Sequence, residues 1–281
     1  MSAGRLAALI GSPVGHSLSP VIHQAAFDAA GTGWTYAAFD VPPGRADDAL
    51  AAMRVLGIAG LSVTTPHKEQ VAACVDGLAP AAAALHSVNT VVVEDDGRLV
   101  GHSTDGHGFL AALHADGVDV CGLRIAVLGA GAAARSLVAA LDHAGAAAII
   151  VVNRTPGTIA DVVGLAPLTA RAAGADVEEE LASAELIINA TSVGFDSDDV
   201  PLDPAVLHPE HLVADLVYHP LDTALLRAAR ASGARTFDGL GMLVHQAALQ
   251  QHLWLGCLPD VTVMRGAAEA ELRRRGVSAG R

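Results

Sequence analysis

Lysine is almost absent from this chain. Of its 17 basic residues, 16 are arginine and one, Lys68, is lysine. A guanidinium group stays protonated at physiological pH, whereas an ammonium group can release its proton when its surroundings lower its pKa. Because arginine is used wherever a plain positive charge is needed, Lys68 is a candidate proton donor. The ordinary alternative is a solvated lysine in the first turn of a helix.

Cysteine and long apolar runs are also scarce. Cys74, Cys121 and Cys257 lack the spacing of a metal or redox site, so we expect thiols that pack as small hydrophobic residues in a reducing, cytoplasmic setting. We expect neither a signal peptide nor a membrane span, because the apolar stretches are short. The net charge of −13 makes nucleic acid and anionic membrane surfaces poor partners.

The order of apolar segments predicts an α/β protein. Short apolar runs alternate with alanine-rich amphipathic stretches, which is typical of βα repeats and parallel sheets. Residues 87–94 and 98–103 predict a hairpin around an Asp-Gly turn. A second βα series begins near residue 123, so we predict two α/β domains with a boundary within residues 105–122.

That second series opens with a glycine-rich turn. Gly129, Gly131 and Ala134 follow the pattern G-x-G-x-x-A between a predicted strand and a predicted helix. The first glycine permits a tight turn, the second lets a pyrophosphate approach, and the small third residue lets the helix pack closely. The flanking elements favour nucleotide binding over a simple tight turn.

The next strand ends in a sequence that bears on cofactor choice. An NAD site usually carries an acidic residue there for the ribose 2′-hydroxyl, but this chain has Asn153. Arg154 beside it suits a 2′-phosphate, which favours NADP. The alternative is an ordinary exposed arginine.

Residues 11–24 are rich in glycine, proline and serine. Ser19 followed by Pro20 predicts a helix N-cap. Hydroxyl groups and free amides at this position suit a carboxylate or a polyol without any basic side chain. Capping alone is the alternative, and these residues by themselves do not decide between the two.

Nine stretches together resemble the shikimate dehydrogenase family. They are "GSPVGHSLSPVIH", "GLSVTTPHKE", "SVNTV", "GHSTDGHGF", "LGAGAAAR", "NRT", "NATSVG", "DLVYHPLDTALL" and "DGLGMLVHQA". They cover almost the whole chain in the family's order. The resemblance implies reduction of 3-dehydroshikimate to shikimate with NADP(H), by a monomer or a homodimer whose partners are small molecules. It implies two α/β domains separated by a cleft: a substrate domain (1–104 plus 239–281) and a Rossmann-type, doubly wound NADP-binding domain (105–238).

The resemblance also implies residue roles. Substrate binding falls to Ser17, Ser19, Thr64, Asn89, Tyr218 and Gln246. Cofactor binding falls to Gly129, Ala130, Gly131, Ala132, Ala133, Asn153, Arg154, Thr155, Leu216 and Gly239. Lys68 and Asp105 match the catalytic pair, in which a lysine near a carboxylate in a dry cleft donates a proton to the developing alkoxide. Helix capping is the alternative role for Asp105.

Three positions depart from the family pattern. Ser62 and Ser103 stand where the family usually has asparagine, and Thr158 stands where a second basic residue is common. These departures leave open an NAD-dependent quinate/shikimate dehydrogenase, a paralogue acting on another hydroxylated ring acid, or a non-catalytic NADP-binding regulatory protein.

A metal site formed by His102, Asp105 and His107 is a further hypothesis. We expect no metal, because proton and hydride transfer do not require one.

Overall fold

The computed structural model describes residues 4–276. These residues form two compact units. One lies within Met1–Thr104 and Val244–Glu271, and the other lies within Asp105–Leu243 and Leu272–Arg281.

The first unit is built on a mixed six-stranded sheet. Its strands are β1 (Leu6–Gly11), β2 (Thr35–Asp40), β3 (Gly60–Val63), β4 (Gly77–Leu78), β5 (Thr90–Val93) and β6 (Leu99–His102). Their order across the sheet is β2-β1-β3-β5-β6-β4. β1 runs parallel to β2 and β3, whereas β5 runs antiparallel to β3 and β6. The predicted hairpin is confirmed by the β5–β6 pair.

The second unit is built on a parallel six-stranded sheet. Its strands are β7 (Arg124–Leu128), β8 (Ala148–Val152), β9 (Ala170–Ala172), β10 (Leu186–Asn189), β11 (Leu212–Asp215) and β12 (Arg235–Phe237). The order β12-β11-β10-β7-β8-β9 is that of a doubly wound Rossmann sheet. Chain order reverses between β7 and β10, and ligands bind such sheets outside the carboxyl ends of the strands at that point.

The helices follow in chain order. They are α1 (Ser19–Ala29), α2 (Ala46–Leu56), α3 (Lys68–Cys74), α4 (Pro80–Leu85), α5 (Asp105–Ala115), α6 (Ala132–His143), α7 (Ile159–Val163), α8 (Val177–Ser183), α9 (Ala224–Ala231), α10 (Gly239–Leu255) and α11 (Val261–Arg274). Short 3-10 helices cover Pro156–Thr158 and Pro204–Val206.

The central strands of both sheets are buried on both faces. In β1, Ala8 and Ile10 join one hydrophobic cluster, while Leu9 joins another with Phe27 and Trp34. In β7, residues 125 and 127 face one cluster and residues 126 and 128 face a second. This double burial explains why both strands are continuous apolar runs rather than alternating patterns.

Two local expectations are wrong. Ser19 does not cap α1 but is its first residue, and the Ser17 hydroxyl instead accepts a hydrogen bond from the Ser19 N–H at 3.1 Å. The three cysteines are exposed rather than packed inside, because they lie at the end of α3 and in loops. Within residues 4–276, no helix is long and apolar enough to span a membrane.

Candidate functional site

In the first unit, polar residues collect where β1 and β3 end and β5 begins. The chain leaves β1 through the loop that carries Ser17 and leads into α1 at Ser19, and the Ser12 N–H donates to the Thr65 carbonyl at 3.0 Å. Thr64, directly after β3, donates its N–H to the Ile10 carbonyl at 2.9 Å. Because β5 is antiparallel to β3, its first residues lie at the same edge of the sheet. The structure thus brings Ser17, Ser19, Thr64 and the start of β5 to one edge.

Lys68 is the first residue of α3 and is half-buried. Its carbonyl accepts the Val88 N–H at 3.0 Å, which ties the helix start to the residue before Asn89. The preceding His67 is buried, and its Nε2 is 2.7 Å from the Val41 carbonyl. The start of α3 at Lys68 is therefore anchored by the Val88 bond and by the bond of the neighbouring His67 side chain.

Asn89 and Gln246 meet in a buried hydrogen-bond network. Asn89 Nδ2 donates to Thr104 Oγ1 at 2.9 Å and to Gln246 Oε1 at 3.5 Å. Asn89 Oδ1 accepts from the Thr104 N–H at 2.9 Å and from Thr90 Oγ1 at 2.8 Å. Thr104 Oγ1 in turn donates to the Gln246 carbonyl at 3.1 Å. Sequence reasoning missed Thr104, although its place next to Asp105 was a usable signal.

The glycine turn of the second unit is shaped for a phosphate group. Gly129 has φ of +111°, and a Cβ there would lie 2.9 Å from the Ala190 carbonyl oxygen, so the turn packs against the loop after β10. A Cβ on Gly131 would meet nothing within 4 Å, which leaves open space at the N-terminus of α6. Ala134 is fully buried against the sheet. Free amides, a helix dipole and open space together fit a dinucleotide pyrophosphate.

Asn153 organises the turn after β8. Its Nδ2 donates to the Thr155 carbonyl at 3.0 Å and to Thr158 Oγ1 at 2.8 Å. Thr158 Oγ1 donates to the Thr155 carbonyl at 3.1 Å. Both amide hydrogens of Asn153 are thus used within the turn, and Arg154 is exposed beside it. The residues present fit a 2′-phosphorylated ribose, because a cation is offered and no carboxylate stands at position 153.

The loop after β11 carries two further predicted residues, Leu216 and Tyr218. Asp215, at the end of β11, accepts hydrogen bonds from the Val217 N–H at 3.0 Å and from Asn189 Nδ2 at 2.9 Å. Its other oxygen accepts from Thr223 Oγ1 at 2.7 Å. Burial raises the pKa of Asp215 and also that of Tyr218. Sequence reasoning missed Asp215 as the residue that shapes this loop.

Gly239 belongs to the same edge of the second unit. A Cβ at this position would lie 2.4 Å from the Leu216 carbonyl oxygen. Only glycine therefore lets the start of α10 pass this close to the loop after β11.

Asp105 begins α5 and is half-buried. It belongs to the second unit, whereas Lys68 belongs to the first. Among residues 4–276, no three histidine, cysteine or acidic side chains are grouped so as to hold a metal ion, and this includes those at 102, 105 and 107.

Three family models match this chain. They are described as the shikimate dehydrogenase substrate binding domain (residues 9–91), shikimate / quinate 5-dehydrogenase (residues 111–194) and the shikimate 5′-dehydrogenase C-terminal domain (residues 239–269). Among curated proteins, shikimate dehydrogenase (NADP(+)) of Symbiobacterium thermophilum is 45% identical over an alignment of 280 residues. The match covers 96% of this chain and 95% of that protein.

Two solved structures are similar over nearly their whole length. Shikimate 5-dehydrogenase of Thermus thermophilus, in complex with NADP(H) and shikimate, has a TM-score of 0.87 at 38% identity and covers 95% of this chain and 99% of its own. The ligand-free 5-ketofructose reductase of Gluconobacter sp. strain CHM43 has a TM-score of 0.89 at 31% identity, and the match covers 96% of this chain and 100% of that chain.

Proposed function

This chain belongs to the shikimate dehydrogenase family, and we propose that it catalyses the reversible, NADPH-dependent reduction of 3-dehydroshikimate to shikimate. The observation that carries the proposal lies in the first unit. There the backbone carbonyl of Lys68, the only lysine in the sequence, accepts a hydrogen bond from the Val88 N–H. The next residue, Asn89, is buried and bonded to Gln246.

We assign the two ligands to different parts of the chain. The first unit would bind the substrate, whose carboxylate and hydroxyl groups match the hydroxyl and amide side chains of Ser17, Ser19, Thr64, Asn89 and Gln246. Tyr218 is assigned to the substrate as well. The second unit would bind NADP through the glycine turn and the turn after β8. Arg154 would hold the 2′-phosphate, with Leu216 and Gly239 completing the site.

The bound NADPH would supply a hydride to the ketone carbon. The Lys68 ammonium group donates a proton to the ketone oxygen and stabilises the negative charge that develops there. In the reverse direction the neutral Lys68 amine accepts the proton of the shikimate hydroxyl. We assign Asp105 as the second catalytic residue, in keeping with the family's lysine–aspartate pair. An arginine at position 68 would provide charge but almost no transferable proton.

We place the enzyme in the cytoplasm, where NADPH and the substrate would be available to it, and we expect a monomer or a homodimer. The main alternative is an NAD-dependent quinate/shikimate dehydrogenase. It is favoured by Thr158, because threonine is uncharged where a second basic residue would help to bind the 2′-phosphate of NADP.

A steady-state matrix of shikimate and quinate against NADP and NAD tests the proposal. We expect the highest kcat/KM for shikimate with NADP. The Lys68→Ala variant, purified identically, controls for dehydrogenase carried over from the expression host. Higher kcat/KM for quinate with NAD would favour the alternative, and no turnover with either acid would refute both.

A further inference from the structure

A buried polar cluster adjoins Asn89 within the first unit. It consists of His23, Tyr36, Ser62 and Gln250. Tyr36 OH donates to Ser62 Oγ at 2.7 Å, and Ser62 Oγ donates to Gln250 Oε1 at 2.7 Å. The Tyr36 ring stacks on the His23 ring with centroids 4.3 Å apart. Buried polar groups are costly unless satisfied, so this cluster specifies one arrangement of its members.

The neighbours of Gln250 fix the orientation of its side-chain amide. Gln251 Nε2 lies 3.1 Å from His23 Nδ1, and as an amide nitrogen it can only donate, so the imidazole proton is on Nε2. His23 Nε2 therefore donates to Gln250 Oε1 at 3.1 Å. Burial lowers the pKa of His23 to about 3, which keeps the ring neutral. With two donors on Oε1, the Gln250 amide nitrogen is directed away from them.

That amide nitrogen reaches the backbone of Asn89. Gln250 Nε2 donates to the Asn89 carbonyl at 3.1 Å, and the same carbonyl accepts the Val63 N–H at 2.8 Å. One turn earlier on α10, Gln246 accepts from the Asn89 side chain. One turn later, Trp254 Nε1 donates to the Val91 carbonyl at 3.1 Å. Three side chains spaced by one helical turn thus hold α10 in register along the start of β5.

We propose that Gln250 is a positioning residue for substrate binding that acts by fixing Asn89, and that Ser62 acts by orienting Gln250. This inference rests on the proposed function, because it takes Asn89 and Gln246 as substrate ligands. It also gives Ser62 a role inside the unit, since its hydroxyl already donates to Gln250 and accepts from Tyr36.

Alanine variants of Gln250 and Gln251 provide a matched test. Both glutamines are buried on α10, but Gln251 bonds to His23 and not to Asn89. We expect Gln250→Ala to raise the KM for shikimate about 5- to 20-fold, as the loss of one buried hydrogen bond would. Its KM for NADP should stay within about twofold of wild type. Gln251→Ala, which reaches Gln250 only indirectly through His23, should raise the KM for shikimate less than Gln250→Ala does and should leave the KM for NADP nearly unchanged. The two variants should lose similar thermal stability.

Gln250→Glu adds a readout that a purely structural role would not move. When protonated, the introduced carboxyl group can still donate to the Asn89 carbonyl, whereas the ionised group can only repel it. Burial raises a carboxyl pKa, so we expect the KM for shikimate, relative to wild type, to rise from about pH 6 to about pH 9.

The outcomes separate this inference from the proposed function. If wild-type enzyme does not oxidise shikimate, the proposed function fails and the inference fails with it. If wild type is active but Gln250→Ala shifts KM no more than Gln251→Ala, or Gln250→Glu shows the wild-type pH profile, only the positioning role is overturned. Ser62→Ala replaces Gln250→Ala if the latter does not fold, with a smaller rise in KM expected.

Discussion

Replacing Arg154 with alanine should remove most of the enzyme's preference for NADP over NAD. Arg154 is exposed directly after Asn153, and Thr158 occupies the position where a second cation is common in the family. The planar, permanently charged guanidinium group of Arg154 is therefore the one cation at this turn assigned to the 2′-phosphate. Because Asn153, Thr155 and Thr158 bond to one another, the turn should keep its shape without the arginine.

The size of the effect follows from this geometry. A hydrogen bond to a charged group contributes about 1.5–3 kcal/mol, and exposure to solvent places Arg154 near the lower end. Since each 1.4 kcal/mol is a factor of ten, we expect the ratio of kcat/KM for NADP over NAD to fall about 10-fold. The kcat/KM for NAD should barely change, because NAD carries no 2′-phosphate.

The assay is initial-rate oxidation of saturating shikimate with each cofactor, at low and at high salt. Arg154→Lys should keep part of the preference, and the preference of wild type should weaken with salt, as expected for an exposed ion pair. Arg98→Ala, which removes an exposed arginine paired with Asp96 in the first unit, is the control for loss of surface charge. An unchanged NADP/NAD ratio in Arg154→Ala would refute the assignment of the 2′-phosphate site.

Three further changes probe other parts of the account. Asp105→Asn should lower kcat by about 10²-fold or more with little change in melting temperature, whereas a large loss of melting temperature with activity kept would favour helix capping. Gly239→Ala places a Cβ 2.4 Å from the Leu216 carbonyl oxygen, so the KM for NADP should rise about tenfold; unaltered cofactor binding would contradict that role. His23 stays neutral in the folded chain down to about pH 3, while the unfolded chain binds its proton below about pH 6.5. The free energy of unfolding should therefore decrease as the pH is lowered, by about 2 kcal/mol from pH 7 to pH 5. In urea unfolding, His23→Gln should lack this part of the pH dependence.

The elements that sequence predicted well are those with long apolar runs. β1 and β7 are buried on both faces, so their uninterrupted hydrophobic stretches were direct signals. β4 spans two residues and β9 spans three, which is too short for any periodicity to register. The start of α1 was misplaced because a serine before proline is typical of a cap, while the chain enters the helix one residue earlier.

The candidate site was less predictable, because its contacts are far apart in sequence. Family motifs supplied the identities of Asn89 and Gln246, but they are 157 residues apart, and nothing local indicates that their side chains meet. The same holds for Ser62 and Gln250, which are 188 residues apart. A hydroxyl or amide at a strand end predicts a polar site, but only the fold decides whether that group faces a ligand or another buried side chain.

The proton donated by Lys68 is the central claim, and kcat for Lys68→Ala and Lys68→Arg with shikimate and NADP tests it most directly. We expect both variants to lose about 10²–10⁴-fold in kcat while their KM for shikimate stays within severalfold of wild type, because proton transfer and not charge alone is removed. A Lys68→Arg enzyme with kcat near that of wild type would contradict the account, since it would show that a fixed positive charge is sufficient.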